Sequence, residues 1–282
     1  MVSPDPRPIA VFDSGVGGLT VLREIQRRLP GESTVYLGDN ARTPYGPRPA
    51  DEVRSFTLAC VDWLLAQDPK VIVLACNTAT AQALPDVRAA VSVPVLGVVR
   101  PGAVAAAAAT RSRHVGVVAT AGTVASGAYL AAIGEADPGV TVHQQACPDL
   151  VPLVEAGDLS GPRVVSAVGG YLEELRARDP HLDTLLLGCT HYPLLQPIFE
   201  AHLGPLVRVV DSAFTTALAL EDLLDALQAR SGPRTGVPPH PHRVATSGDA
   251  ATFASVAARL FDGQLPAMEA VDLPSAKAAR AD

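Results

Sequence analysis

Val71-Ile72-Val73-Leu74-Ala75-Cys76-Asn77-Thr78 runs four large apolar side chains into a small residue, then a thiol, then two hydrogen-bonding groups. Apolarity without alternation marks a strand covered on both faces, as in a parallel sheet flanked by helices. Thr184-Leu185-Leu186-Leu187-Gly188-Cys189-Thr190-His191 has the same form, and Ile9-Ala10-Val11-Phe12-Asp13-Ser14-Gly15 is echoed by Val115-Gly116-Val117-Val118-Ala119-Thr120-Ala121. The two echoes imply two related α/β units, with a boundary near the turn Val98-Val99-Arg100-Pro101-Gly102.

Working outward, the strands read as Ile9–Asp13, Thr34–Leu37, Val71–Ala75, Val93–Val98, His114–Ala119, Val140–Gln144, Thr184–Leu187, Leu206–Val210 and Arg243–Thr246. Helical periodicity occupies Gly18–Leu29, Pro49–Gln67, Asn77–Val91, Thr123–Ala136, Gly161–Arg178 and Ala213–Arg230, and the alanine-rich Gly102–Thr110 also favours helix. Strand and helix alternate as in α/β folds. Ser231–His242 is proline-rich and reads as a loop; Met1–Pro8 and Pro274–Asp282 read as mobile ends.

Composition narrows the function classes. The 282 residues carry 22 Lys plus Arg against 29 Asp plus Glu, a net charge of −7, which argues against nucleic acid as a partner. Lysine occurs only at Lys70 and Lys277, neither in a context suited to a pyridoxal phosphate Schiff base. No run approaches the roughly 18 apolar residues that span a bilayer, so a soluble, cytoplasmic protein with no membrane partner is expected. The four cysteines include no Cys-x-x-Cys pair and read as free thiols.

In a parallel sheet, ligands bind beyond the carboxyl ends of the strands. The polar residues there are Asp13-Ser14, Asp39-Asn40, Cys76-Asn77-Thr78, Thr120 with Thr123, and Cys189-Thr190-His191. A thiol at a strand end that opens a helix meets backbone N–H groups and the helix dipole, both of which favour thiolate. Cys76 and Cys189 fit this placement; Cys60 reads as a core residue within a helix, and Cys147 opens a loop. Two thiols in matching positions could form a disulfide, bind a metal, or serve as two acid–base groups. Metal is disfavoured because only His191 lies near either cysteine, with His240 and His242 in the proline-rich loop. Redox chemistry lacks its usual motif, which leaves acid–base work tuned by Asp13, His191 and Glu155. The competing structural readings are a helix cap for Asp13 and a hydrogen-bonded junction residue for His191.

Asp13-Ser-Gly15-Val-Gly17-Gly18-Leu-Thr20 also admits comparison with a dinucleotide site, with Asp39 near the place of a ribose-binding acid. Thr20 stands where the fingerprint needs glycine, and Asp13 would put negative charge beside a pyrophosphate. The glycines read more simply as room for backbone to approach a small anionic ligand.

Five motifs in order, Val11-Phe-Asp-Ser-Gly-Val-Gly-Gly-Leu-Thr20, Tyr36-Leu-Gly-Asp-Asn-Ala-Arg-Thr-Pro-Tyr-Gly46, Ala75-Cys-Asn-Thr-Ala79, Ala146-Cys-Pro-Asp-Leu-Val-Pro-Leu-Val-Glu-Ala-Gly157 and Leu187-Gly-Cys-Thr-His-Tyr-Pro-Leu-Leu195, resemble the cofactor-independent glutamate racemases of the aspartate/glutamate racemase superfamily. His191 favours the glutamate branch, since the aspartate racemases usually carry glutamate there. The resemblance implies an α/β fold of two similar domains, 1–98 with 208–282 and 99–207, each with a mainly parallel sheet flanked by helices and the active site in the cleft between them. It implies a two-base interconversion of L- and D-glutamate for peptidoglycan synthesis, with no cofactor and no metal. Cys76 would act on D-glutamate and Cys189 on L-glutamate, Asp13 assisting the first and Glu155 with His191 the second. Substrate contacts would come from Asp13, Ser14, Tyr45, Gly46, Asn77, Thr78, Thr120, Thr123, Thr190 and His191. A homodimer is implied as well. The alternatives are a racemase for aspartate or another amino acid, or a protein acting partly by binding, as some members that inhibit DNA gyrase do; the helix face with Arg23, Arg27 and Arg28 is the surface to consider. Val209-Val-Asp-Ser-Ala-Phe-Thr-Thr-Ala217 departs from the family's usual Asp-Ser-Gly-Ala-Glu-Thr-Ala.

Overall fold

All strand pairings in the computed structural model, which describes residues 4–231, 240–261 and 267–273, are parallel. The chain runs β1 (Ile9–Asp13), α1 (Leu19–Arg28), β2 (Thr34–Gly38), α2 (Ala50–Leu65), β3 (Val71–Leu74), α3 (Asn77–Ala90), β4 (Val95–Gly97) and α4 (Val99–Ala109). It continues with β5 (His114–Ala119), α5 (Ala121–Ser126), α6 (Ala128–Ala136), β6 (Thr141–Ala146), α7 (Leu150–Glu155), α8 (Pro162–Arg178), β7 (Thr184–Gly188), α9 (Gln196–Leu203) and β8 (Arg208–Asp211). Last come α10 (Ser212–Ala226), β9 (Arg243–Thr246), α11 (Ala250–Leu260) and β10 (Met268–Ala270).

These strands form two sheets, ordered β10-β9-β2-β1-β3-β4 and β6-β5-β7-β8. The order β2-β1-β3-β4 matches β6-β5-β7-β8 strand for strand, so Cys76 after β3 and Cys189 after β7 occupy equivalent edges, in agreement with the sequence echoes. Strands β1, β2, β3 and β7 are buried along their whole length, as expected where helices cover both faces. Each fully buried Val, Leu or Ile contributes about 1.5–3 kcal/mol, so these strands anchor both units.

Several boundaries differ from the sequence reading. Val98–Gly102 is not a turn: α4 starts at Val99, and the chain crosses between the sheets as helix. The Thr123–Ala136 helix is split in two, because Gly127 adopts φ +68° and closes α5 before α6 begins. Arg208–Asp211, expected with the first unit, pairs with β7 in the second sheet, so the return comes after Asp211. Asp211 then caps α10, accepting from the amides of Ala213 and Phe214 at 2.8 and 2.9 Å, and α10 packs against both α1 and α4. Helices α7, α9 and α11, the short 3-10 turn Tyr192–Leu195 and strand β10 were not anticipated.

The N-terminal end is anchored from Asp5 onward instead of mobile. Asp5 N–H donates to Arg230 O, and its carbonyl accepts from Lys70 Nζ at 2.8 Å. Lys70 pairs with Glu32 at 2.5 Å, both side chains almost fully buried, so the lysine has a structural place. Residues 232–239 of the proline-rich segment, and Pro274–Asp282 with Lys277, lie outside the described residues. No described helix is long and apolar enough to cross a membrane. Removing one partner of a buried ion pair typically costs about 3–5 kcal/mol. Glu32→Ala is therefore expected to lower unfolding free energy in urea by about that amount; an unchanged midpoint would show that the pair stabilises nothing.

Candidate active site

Cys76 caps α3 in extended conformation, and its sulfur accepts from the amide of Ala79 at 3.4 Å, as the sequence placement anticipated. The thiol donates to Ser14 Oγ at 3.5 Å. Beneath them Asp13 is wholly buried, accepting from Gly15 N–H at 3.0 Å and from the hydroxyl of Thr190 at 3.4 Å. Asp13 thus joins the β1 loop to the β7 loop. It also takes a hydrogen bond from the Gly18 amide, but Gly18 is itself the N-cap of α1 and no side chain caps that helix, so the cap reading of Asp13 is not met.

Across the cavity, Cys189 Sγ lies 3.9 Å from His191 Nδ1, and His191 Nε2 lies 3.1 Å from Glu155 Oε1. Glu155 is the last residue of α7. The junction is further held by Thr20, whose hydroxyl donates to Thr190 O at 3.0 Å. The glycine loop's bareness serves the protein's own packing: a Cβ on Gly17 would stand 2.5 Å from the His191 ring and Thr190 Oγ1, and one on Gly18 2.4 Å from Asp13 Cβ. Gly17 lets the two loops meet and Gly18 makes room for Asp13, where the sequence reading assigns the glycines to ligand approach.

Hydroxyls gather on a third side. Thr78 Oγ1 is 2.9 Å from Thr120 Oγ1 and 3.3 Å from Thr123 Oγ1, and Thr120 and Thr123 are 3.0 Å apart. Gly46 presses on this group, its carbonyl accepting from Gly122 N–H at 2.9 Å. Asn77 donates to Tyr129 OH at 2.7 Å and to Ser212 Oγ at 3.4 Å, while its own carbonyl oxygen is buried without a partner.

Ser14, Tyr45, Gly46, Cys76, Asn77, Thr78, Thr120, Cys189, Thr190 and His191 all line one cavity of about 140 Å³. Asp13, Thr123 and Glu155 stand behind that wall and act on it through Thr190, Thr120 and His191. The cavity also takes in Thr43, Pro44, Pro47, Cys147, Pro148, Val151 and Pro152, which the sequence reading missed. For Cys147 a signal existed: β6 runs to Ala146, so this cysteine also follows a strand directly, its amide bonded to Ala119 O. Cys60 is buried in α2 as expected, but it also faces Arg42 Nη2 at 3.5 Å.

Charge is distributed unevenly across the two thiols. Burial raises the Asp13 carboxyl above its usual range, against the charge of His191 and the two amides that lower it. Burial and the nearby Asp13 charge push the Cys76 thiol up to about 12, outweighing the Ser14 and Ala79 hydrogen bonds, so the thiolate expected from its helix-start placement is not favoured there. For His191, burial works against the imidazolium, yet its bonds and charge contacts with Cys189 and Glu155 prevail and raise it to about 10. The Cys76 proton is thus held firmly, and His191 keeps its own well above the usual imidazole range.

The helix face considered for partners is largely neutralised. Arg27 pairs with Glu24 at 2.7 Å, Arg28 with Glu221 at 2.5 Å, and Arg23 lies over the Phe261 ring.

An α/β protein with two parallel sheets and two thiols at equivalent strand ends opening on one small cavity is built for acid–base chemistry on a small molecule. The sequence profile of the Asp/Glu/Hydantoin racemase family matches residues 9–220, and the chain belongs to that family. A glutamate racemase of Shouchella clausii is 48% identical over 258 residues, 89% of each chain. Among solved structures, a glutamate racemase isoform of Bacillus anthracis superposes with a TM-score of 0.87 at 42% identity, covering 95% of this chain and 98% of its own. The Francisella tularensis glutamate racemase in complex with D-glutamate superposes at 0.86 with 31% identity over the same shares.

Removing Glu155's charge takes away one of the interactions that hold the His191 proton. Histidine NMR titration is expected to find His191 protonated to near pH 10 in the native protein and to lower pH in Glu155→Gln. Equal titration in both proteins would contradict the assigned pairing.

Proposed function

We propose that this chain interconverts L- and D-glutamate without a cofactor, by proton transfer between Cα and two thiols. The observation that carries this is the pair of sulfurs in one small cavity with opposite electrostatic surroundings. A two-base inversion needs one thiolate and one thiol at rest. In this scheme Cys189, beside the His191 ring, is the thiolate, and Cys76, whose proton is held by burial and by the Asp13 charge, is the thiol.

From L-glutamate, the Cys189 thiolate takes the α-proton from one face. The electron pair left at Cα spreads into the α-carboxylate, and the Cys76 thiol delivers its proton from the opposite face, so configuration inverts. The cycle ends with Cys189 protonated and Cys76 as thiolate, the pair that acts on D-glutamate. Asp13 and His191 ease the exchange of these two states from behind the sulfurs. Ser14, Tyr45-Gly46, Asn77-Thr78, Thr120, Thr123 and Thr190-His191 would hold the substrate, Tyr45-Gly46 gripping ground and transition states alike while the donors of Ser14, Asn77-Thr78 and Thr190 stabilise carboxylate charge as it grows. The unpartnered Asn77 Oδ1 is a ready acceptor for the substrate ammonium.

The cavity falls between the two sheets, which supports an active site in a cleft between two domains, 1–98 with the segment after Asp211, and 99–211. Supply of D-glutamate for peptidoglycan follows from family likeness, as does a homodimer. Four buried free thiols favour a cytoplasmic location.

Pure protein incubated with L-glutamate and no added cofactor is expected to bring the circular dichroism signal to zero. Cys76→Ser and Cys189→Ser should each lower kcat/KM by about 10²–10⁴-fold, the usual weight of an acid or base; full activity in either would reject the thiol pair. Because the enantiomers are equal in energy, kcat/KM is the same in both directions at every pH. Both should fall together as pH rises through about 10, where His191 loses its proton. A profile flat across that range would remove His191 from the mechanism.

A further inference from the structure

Asp39 is fully buried at the end of β2, the edge equivalent to that of Cys147, and the acid–base scheme makes no use of it. Its side chain is saturated by donors from three places. One oxygen accepts from Arg42 Nε at 2.7 Å and from the hydroxyl of Tyr45; the other accepts from Ser247 Oγ at 2.5 Å. Ser247 lies after β9, from the far end of the chain, and its hydroxyl in turn accepts from the amide of Ala41 at 3.2 Å. The next residue, Gly248, would set a Cβ only 3.0 Å from Asn40 Cβ, so this turn rests directly on the loop after β2.

The same loop is fastened at its apolar side. Tyr45 packs between Phe12 and Phe56, and the Arg42 guanidinium lies 4.7 Å over the Phe56 ring. Arg48 bonds the carbonyl of Arg42 at 2.8 Å. The tip of this loop, Tyr45-Gly46, forms one wall of the cavity and touches Thr120 and Gly122 of the second sheet's edge.

We propose that Asp39 is a positioning residue that clamps the loop 40–47 between Arg42, Tyr45 and Ser247, so that Tyr45 and Gly46 stand preformed against the substrate. Its use in catalysis rests on the racemase reading; the clamp itself does not. A carboxylate suits these partners because its charge pairs with Arg42 while each oxygen takes a hydroxyl proton. An asparagine loses that charge, and its amide N–H₂ must face either the Arg42 guanidinium or the Ser247 hydroxyl, whose own proton then has no acceptor there. Since the loop binds without touching the transferred proton, its loss removes binding common to ground and transition states, which raises KM and leaves kcat largely intact.

Two variants and two readouts test this. In Asp39→Asn, KM for glutamate should rise at least about tenfold, the loss expected for hydrogen bonds to a charged group, with kcat nearly unchanged. Ser247→Ala should show a smaller rise of the same kind. In both, hydrogen–deuterium exchange of the peptide spanning 40–48 should accelerate while β1 and β3 peptides keep native exchange. Unchanged loop exchange, or a fall in kcat at constant KM, would overturn the proposal. If Asp39→Asn does not fold, Ser247→Ala decides by the same criteria. If the native protein does not racemise glutamate, the functional reading fails on its own and loop exchange still decides the clamp.

Discussion

Asp13 is the group on which the site depends, because a carboxyl with no solvent exposure must be stabilised entirely by its neighbours. Two amides of its own loop and the hydroxyl of Thr190 supply the hydrogen bonds, and the charge of His191 supplies the electrostatic balance. These partners come from both sheets. The demand for them therefore draws the β1 loop against the β7 loop; Gly17 permits so close a meeting, and Gly18 leaves room for the Asp13 side chain itself. The same carboxyl then acts outward, adding to the burial that raises Cys76, while across the cavity His191 keeps its proton beside Glu155.

From this follows a division of labour between the two halves of the cavity. The first-sheet side holds a protonated thiol among a serine hydroxyl and a helix amide. The second-sheet side holds a sulfur beside an imidazolium whose far nitrogen meets Glu155. Equivalent strand ends thus carry equivalent nucleophiles in unequal surroundings. That inequality settles which thiol carries the proton in the resting pair. The hydroxyl group of Thr78, Thr120 and Thr123 and the clamp on Tyr45 complete the cavity without adding a charged side chain to it.

Much of this was legible in the residues themselves. The unbroken apolarity of Val71–Leu74 and Thr184–Leu187 identified buried parallel strands, and the small-residue-then-cysteine ending placed both thiols at ligand-binding edges. What was not legible has physical reasons. Helix α9 begins Gln196-Pro197, and α7 is six residues long with a proline inside, so neither offers a full amphipathic period. Strand β10 has three residues at a sheet edge, too few to show a pattern. Helix α11 does carry a signal in the sequence, an Asp249 cap ahead of Phe253, Ala257 and Leu260. Arg208–Asp211 was read as the first unit because a crossing of the chain between sheets leaves no mark on composition. Asp39 was visible only as a polar residue at a strand end; its partner Ser247 lies more than two hundred residues away, and only the fold brings them together.

The most direct measurement of the central claim, that opposite thiols exchange protons with Cα on opposite faces, is isotope incorporation in deuterated water at early conversion of L-glutamate. Two bases predict that the D-glutamate formed carries deuterium at Cα, delivered from the exchanged Cys76 thiol, while unreacted L-glutamate keeps its protium. D-glutamate that retains the substrate's own protium would mean that one group carries the proton across, and would contradict the account.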